Sequence, residues 1–289
     1  MTLTSGTVVT YPAGALASRG TVVLVTDAGD GRRAVVLDET AFHPVDTAWP
    51  DQPVDRGALR IGDTEIPVLD AVVAATQGEE LLLGPGVPVR TGSEGWTFAV
   101  AHLVDGSAPV DLGDTVQVTV DADHRAALSA GHTACHLASL ALDAALAAAW
   151  RKDAPADALG APAFDALAIQ ESRILPDGSR DVYRIGRSLR RKGFDPAALD
   201  DLPGLAVHVD AQLAEWIAAG GAVRIDRDGD LLADRRTWVC ELPGGQARIP
   251  CGGTHLRSLA DLSAATVSFA ATEVEGGLEL VMTTTAKRA

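Results

Sequence analysis

Three cysteines, Cys135, Cys240 and Cys251, are all that the 289 residues contain. They are too few and too widely spaced for a disulfide scaffold, and they point to a reduced, cytoplasmic setting. No run approaches the roughly eighteen uninterrupted apolar residues of a helical membrane span. Residues 1–5 (MTLTS) lack the basic region and apolar core of a secretory signal. Positive charge is also scarce, with 24 Lys and Arg against 39 Asp and Glu and a formal net charge of −15. Taken alone, that balance argues against non-specific nucleic-acid binding, DNA included, and against an anionic membrane as partner, while leaving room for a local basic surface. No ATP-binding P-loop and no internal repeat are present.

The remainder is ordinary for a globular chain, 47% hydrophobic and 22% charged, with 29 Gly and 15 Pro to supply turns. Its length suits two domains. The β-rich segments 7–10, 21–25, 34–37, 97–100 and 115–120 alternate apolar residues between Gly, Pro and Asp turns. They predict an N-terminal small β-barrel over residues 1–116, closed so that no edge stays open. From Asp121 the period changes. Residues 121–150 carry helical spacing, with Asp121 or Asp123 as N-cap and Leu128, Cys135, Leu142 and Ala149 on a buried side. A second helix is expected over 207–219, and strands over 222–225, 237–241, 265–270 and 278–282. The fold class is therefore α+β, with residues 117–289 forming a two-layer α/β domain on a mainly antiparallel sheet.

His132 and His136 stand four positions apart, so on a helix both imidazoles leave one face and can share an ion. Cys251 and His255 repeat that spacing in a glycine-containing turn. A thiolate with imidazoles favours Zn2+ over magnesium or calcium. One HxxxH says little, since core histidines fall at this spacing too; the two pairs together carry the reading.

The segments GHTACHL (131–137) and CGGTHL (251–256) resemble the paired signatures of the editing domain of alanyl-tRNA synthetases and their free-standing relatives, with a related module in threonyl-tRNA synthetases. TAFHP (40–44) and QPVDRG (52–57) extend the likeness, although VDTAWPD (45–51) replaces a glycine cluster and Ala130-Gly131 replaces a polar residue before the first histidine. The resemblance implies a β-barrel followed by the editing domain, with zinc held by His132, His136, Cys251 and His255. It also implies hydrolysis of the ester joining a wrong amino acid, serine or glycine, to alanine tRNA. The departures fit an alternative specialist for a threonine analogue such as fluorothreonine on threonine tRNA. A non-catalytic, zinc-stabilised tRNA-binding module and a small-ester hydrolase are the other readings.

Zinc suits this chemistry because it lowers the pKa of bound water and polarises a carbonyl. Four protein ligands crowd out a water position, so turnover on such a site needs five-coordination, release of a ligand, or zinc that mainly holds the amino acid's α-amine while water is activated elsewhere. Peptide N–H groups at Gly252, Gly253 and Thr254 are catalytic candidates for holding the developing oxyanion or the terminal ribose. Asp46, Thr47 and Trp49 are candidates for the substrate pocket, Trp49 by stacking on a base. His43 and His124 are further polar candidates; Cys135 and Cys240 read as core. Seven basic residues against two acids lie between Arg173 and Lys192. Among them Arg180, Arg184, Arg187, Arg190, Arg191 and Lys192 are the candidate contacts to the aminoacylated tRNA, with Tyr183 and Phe194 interleaved.

Overall fold

Alternation of apolar residues builds strands in the first part of the computed structural model, which describes residues 3–46, 50–78 and 80–289. They are β1 (Val8–Val9), β2 (Ala17–Gly29), β3 (Arg32–Leu37), β4 (Glu39–Thr40), β5 (Gly57–Ile61), β6 (Thr64–Pro67), β7 (Asp70–Thr76), β8 (Leu82–Leu83), β9 (Thr97–Asp105) and β10 (Thr115–Val120). Eight of them form one sheet in the order β6-β5-β10-β2-β3-β9-β7-β8. The long β2 joins its halves, pairing β10 through Ala17–Thr21 and β3 through Val22–Gly29. Val35, Leu37, Leu59, Val100, Val116 and Val118, drawn from both halves, are fully buried in one core.

The expected barrel is not there. Among the described residues the sheet is open, ending at β6 on one side and β8 on the other. Closure needs those two edges to pair. β8 is two residues long, and β6 ends on Pro67, which has no N–H to give a ladder. Alternation specified which face each strand buries; it carried no information about whether the last strand meets the first.

Beyond β10 come α1 (Ala122–Ala145), α2 (Phe164–Ala168), β11 (Ile169–Leu175), β12 (Gly178–Ile185), α3 (Arg187–Arg191), α4 (Leu202–Ala219), β13 (Val223–Arg227), β14 (Arg236–Leu242), β15 (Gly245–Pro250), β16 (Leu262–Val274) and β17 (Gly277–Arg288). The order β11-β12-β17-β16 makes an antiparallel sheet, and α4 lies against β16. β13-β14-β15 form a second, three-stranded sheet. The fold is thus α+β. Two compact units are present: the chain up to Ala126 with Ile225–Thr237 and Pro250–Thr254, and Ala127–Arg224 with Trp238–Ile249 and His255–Ala289.

Asp121 caps α1, its Oδ1 accepting the N–H of His124 at 3.0 Å. The helix stops at Ala145, five residues short of the expected end, and a 3-10 turn follows over Ala147–Ala149. Gly131 is required by contact. A Cβ there would lie 2.3 Å from the Leu175 carbonyl oxygen and 2.4 Å from that of Gly178, so the β11–β12 turn rests directly on the helix backbone.

Candidate metal centre

One turn of α1 brings the rings of His132 and His136 to a centroid separation of 4.9 Å. The ring of His255 joins them at 4.3 Å from His132 and 5.1 Å from His136. With the Cys251 sulfur included, the donor atoms of the four residues all lie within 4.8 Å of one another. A tetrahedral ion with bonds of about 2.0–2.3 Å spaces its donors by about 3.3–3.8 Å. Adjustment of roughly an ångström would therefore close this set on an ion.

The chemistry of the donors fits that use. Nε2 of His136 is buried and has no hydrogen-bond partner. Burial pulls the His136 imidazole down to about 4, so at neutral pH its lone pair is available. Burial, reinforced by the charge of Asp51, pushes the Cys251 thiol up to about 12. A cation at the same place is what turns such a thiol into a thiolate.

Two side chains that the sequence reading missed set the rings. Trp238 is fully buried, with its centroid 4.9 Å from that of His136 and 5.9 Å from that of His255. Thr133, next to His132 on α1, accepts the N–H of Leu256 at 3.1 Å, and its Oγ1 lies 3.3 Å from Nδ1 of His255. The contact of Nδ1 with the Thr133 hydroxyl sets which way the His255 ring faces. An outer hydroxyl of this kind fixes both tautomer and ring direction.

The CGGTH loop is gripped from the QPVDRG segment. Gln52, buried, donates Nε2 to the Thr254 hydroxyl at 2.9 Å and accepts the Thr254 N–H on Oε1 at 2.9 Å. Asp55 accepts two bonds from Arg125, with Nε to Oδ1 at 2.8 Å, and the His43 N–H at 2.6 Å. Gln52 lies inside the QPVDRG segment, yet nothing local in the sequence tells that its partner is 202 positions away. This grip changes the picture of the candidate oxyanion groups. The Thr254 N–H is spent on Gln52 and the Gly253 N–H on the Cys251 sulfur. Gly252 is the exposed member of the three, and a Cβ added to it would meet nothing within 4 Å.

Asp46 accepts from the Thr91 hydroxyl at 3.1 Å; Thr47 and Trp49 lie outside the described residues. Arg180 and Arg184 stand on β12, Arg187, Arg190 and Arg191 on α3, and Lys192 follows it. Arg184 and Arg190 each bind a carbonyl of the β16–β17 turn, those of Glu275 and Gly276. Arg187, Arg191 and Lys192 are exposed. His124 approaches the Val54 carbonyl through Nε2 at 3.2 Å. Cys135 donates to the Asp181 carboxylate at 3.6 Å, and Cys240 is fully buried.

No family model matches the chain. It is similar to the alanine–tRNA ligase of Frankia alni, 30% identical over 251 residues that cover 83% of this chain and 23% of that protein. It is similar likewise to the alanine–tRNA ligase of Caldivirga maquilingensis, at 26% identity over 77% of this chain and 21% of the ligase. The alanyl-tRNA editing protein AlaX-M of Pyrococcus horikoshii is 23% identical over 245 residues, which cover 85% of this chain and 82% of that protein. The chain thus spans less than a quarter of the length of these ligases, and at low identity it is related to a tRNA-editing type of domain.

Proposed function

We propose that the chain is a zinc-dependent deacylase acting on mischarged tRNA, hydrolysing the ester of serine or glycine on alanine tRNA. The observation that carries this reading is the meeting of four donor atoms within 4.8 Å, on a chain 23% identical to an alanyl-tRNA editing protein over 82% of that protein. Three imidazoles and a thiol suit zinc better than the hard cations, and His132, His136, Cys251 and His255 would hold it. Zinc so bound supplies Lewis acidity for ester hydrolysis.

The chain's own residues do the rest. Gln52 and Thr254 fix the loop that carries Cys251 and His255, while Thr133 and Trp238 orient the rings. Gly252 offers unhindered backbone to the acyl oxygen or the terminal ribose. Asp46 lines the substrate pocket, for which Thr47 and Trp49 are candidates from the sequence alone. Among the basic residues Arg187, Arg191 and Lys192 take the phosphates of the aminoacylated tRNA, since Arg184 and Arg190 already serve the β16–β17 turn. Three cysteines outside any disulfide suit a cytoplasmic setting, and among the described residues no helix is long and apolar enough to cross a membrane.

The test is a deacylation panel: alanine and threonine tRNAs bearing alanine, serine, glycine, threonine and fluorothreonine, with zinc-loaded protein. Preferential release of serine or glycine from alanine tRNA is the expected result. A preference for fluorothreonine on threonine tRNA replaces the substrate and keeps the chemistry; zinc and tRNA binding without release of any amino acid overturns the deacylase.

A further inference from the structure

Around Tyr11 two buried polar atoms have no hydrogen-bond partner, Nδ1 of His43 and Nε of Arg236. The His43 ring stands edge-on to Tyr11, with centroids 5.0 Å apart and planes at 81°. The guanidinium carbon of Arg236 lies 5.5 Å from the centroid of the same tyrosine. The peptide N–H of Cys251 donates to the Arg236 carbonyl at 3.1 Å. This trio therefore adjoins the residue whose thiol completes the donor set.

The other polar atoms of the two side chains are occupied. The His43 imidazole makes a hydrogen bond to the Pro53 carbonyl. A carbonyl only accepts, and Nδ1 is the nitrogen without a partner, so the proton sits on Nε2 and Nδ1 presents a lone pair. Burial pulls His43 down to about 4 and keeps it in that neutral form. In Arg236 the two terminal nitrogens donate to the carbonyls of Leu232, at 3.1 Å, and Leu231, at 2.7 Å. Its Nε–H is left as a charged donor. Buried polar groups in folded proteins are nearly always paired, so an acceptor and a donor left open beside one ring call for an occupant.

The pair of open atoms selects the chemistry of that occupant. An ammonium group satisfies only the acceptor, and a carbonyl only the donor. A hydroxyl satisfies both. We propose that His43 and Arg236 form a subsite beside Tyr11 that binds a hydroxyl group of the substrate. This rests on the ester-hydrolase reading above. An aminoacyl ester of tRNA offers two such groups, the side-chain hydroxyl of the amino acid and the free hydroxyl of the terminal ribose.

The test uses the zinc-loaded full chain with labelled histidine nitrogen and four non-hydrolysable 3′-amido-adenosines. Two carry serine and two alanine, and one of each lacks the 2′-hydroxyl. Removing the hydroxyl that the subsite reads weakens binding about tenfold or more and cancels the displacement of the His43 Nδ1 resonance. A loss that follows the serine side chain assigns the amino-acid hydroxyl; a loss that follows the 2′ position assigns the ribose.

His43→Gln keeps an N–H donor near Nε2 for Pro53 and has no acceptor at Nδ1, so it loses this selectivity. His43→Asn places a carbonyl oxygen near Nδ1 and keeps most of it. Arg236→Met removes the donor and loses selectivity as His43→Gln does, a second variant should either histidine change unfold the chain. No binding of any amide, equal affinity for all four, or selectivity that survives in both His43→Gln and Arg236→Met overturns the subsite and leaves an ordered water as the occupant. Failure to cleave any of the corresponding esters removes the proposed function instead, while the amide series still decides the subsite.

Discussion

Two groups of polar side chains, buried or half-buried, lie along α1, and they differ in whether the protein satisfies them. On one side His132 and His136 meet His255, and Nε2 of His136 has no partner. About a third of a turn from His136, Cys135 meets an acidic network that reaches Asp143, two turns further along the helix. There Asp181 accepts from Ser172 at 2.6 Å, from Ser179 at 2.8 Å and from the Cys135 thiol. Asp165 accepts from the Tyr183 hydroxyl at 2.9 Å, and Asp143 from the Asp165 N–H at 2.7 Å. These acids bring their own donors and ask for nothing further. His136 instead brings a buried Nε2 that no protein group satisfies, a valence an ion can fill. The lesson is that burial of polar groups by itself does not mark a site; burial with open valence does.

The strongest way to break this contrast is to remove one open donor. His136→Ala takes bound zinc from about one ion per chain to near none and lowers ester hydrolysis by about a thousandfold or more, measured by elemental analysis and a deacylation assay. Zinc retained with full hydrolysis would place the histidines in the same structural class as the acids.

The acidic side answers to pH instead. Burial pushes Asp143 up to about 8 and Asp165 up to about 6, from an ordinary 3.8. A carboxyl whose folded pKa exceeds its unfolded one lends stability in full below pH 4, where both states are protonated, and loses it as pH rises through the folded value. Unfolding free energy is thus expected to fall between about pH 4 and pH 8, and Asp143→Asn to flatten much of that slope in denaturant titrations. A slope unchanged in Asp143→Asn would show that this carboxyl ionises as freely in the fold as outside it.

The same contrast explains what could be read from the chain beforehand. The histidine pair and the Cys251–His255 pair were legible because metal chemistry dictates residue type and spacing within a few positions. β12 was not. Its buried side is Ser179, Asp181 and Tyr183, while Arg180 stands exposed, so polar residues point inward where a half-buried strand is expected to put apolar ones. Read locally, the segment is a basic and aromatic patch. Gln52 and Thr133 were hidden for another reason, since their roles depend on partners 202 and 122 positions away. The open N-terminal sheet belongs with them, because closure is a property of the two end strands and not of any one segment.

Thr133 lets the open side be tuned without touching a donor. Thr133→Val keeps the shape but takes away the oxygen that meets the Leu256 N–H and His255 Nδ1. It is expected to weaken zinc affinity about 10- to 100-fold in competition with a chromophoric chelator. Thr133→Ser restores most of it. An unchanged affinity in the valine variant would mean that packing alone, against Trp238, holds the His255 ring.

The mildest change tests whether the two groups of polar side chains are independent. Tyr183→Phe deletes the hydroxyl that Asp165 accepts and keeps the fully buried ring. The loss is expected to be about 1 kcal/mol of stability, read from the denaturation midpoint. That hydroxyl holds the Asp165 carboxyl down against burial, so without it the pKa of Asp165 rises further and the decline of stability with pH reaches to higher pH. Zinc affinity should stay within about twofold, because a side whose polar groups are mutually paired has no lever on the lone pairs of the other. A larger shift in affinity would show that the acids under α1 position the histidines above them, and the helix would then carry one polar system rather than two.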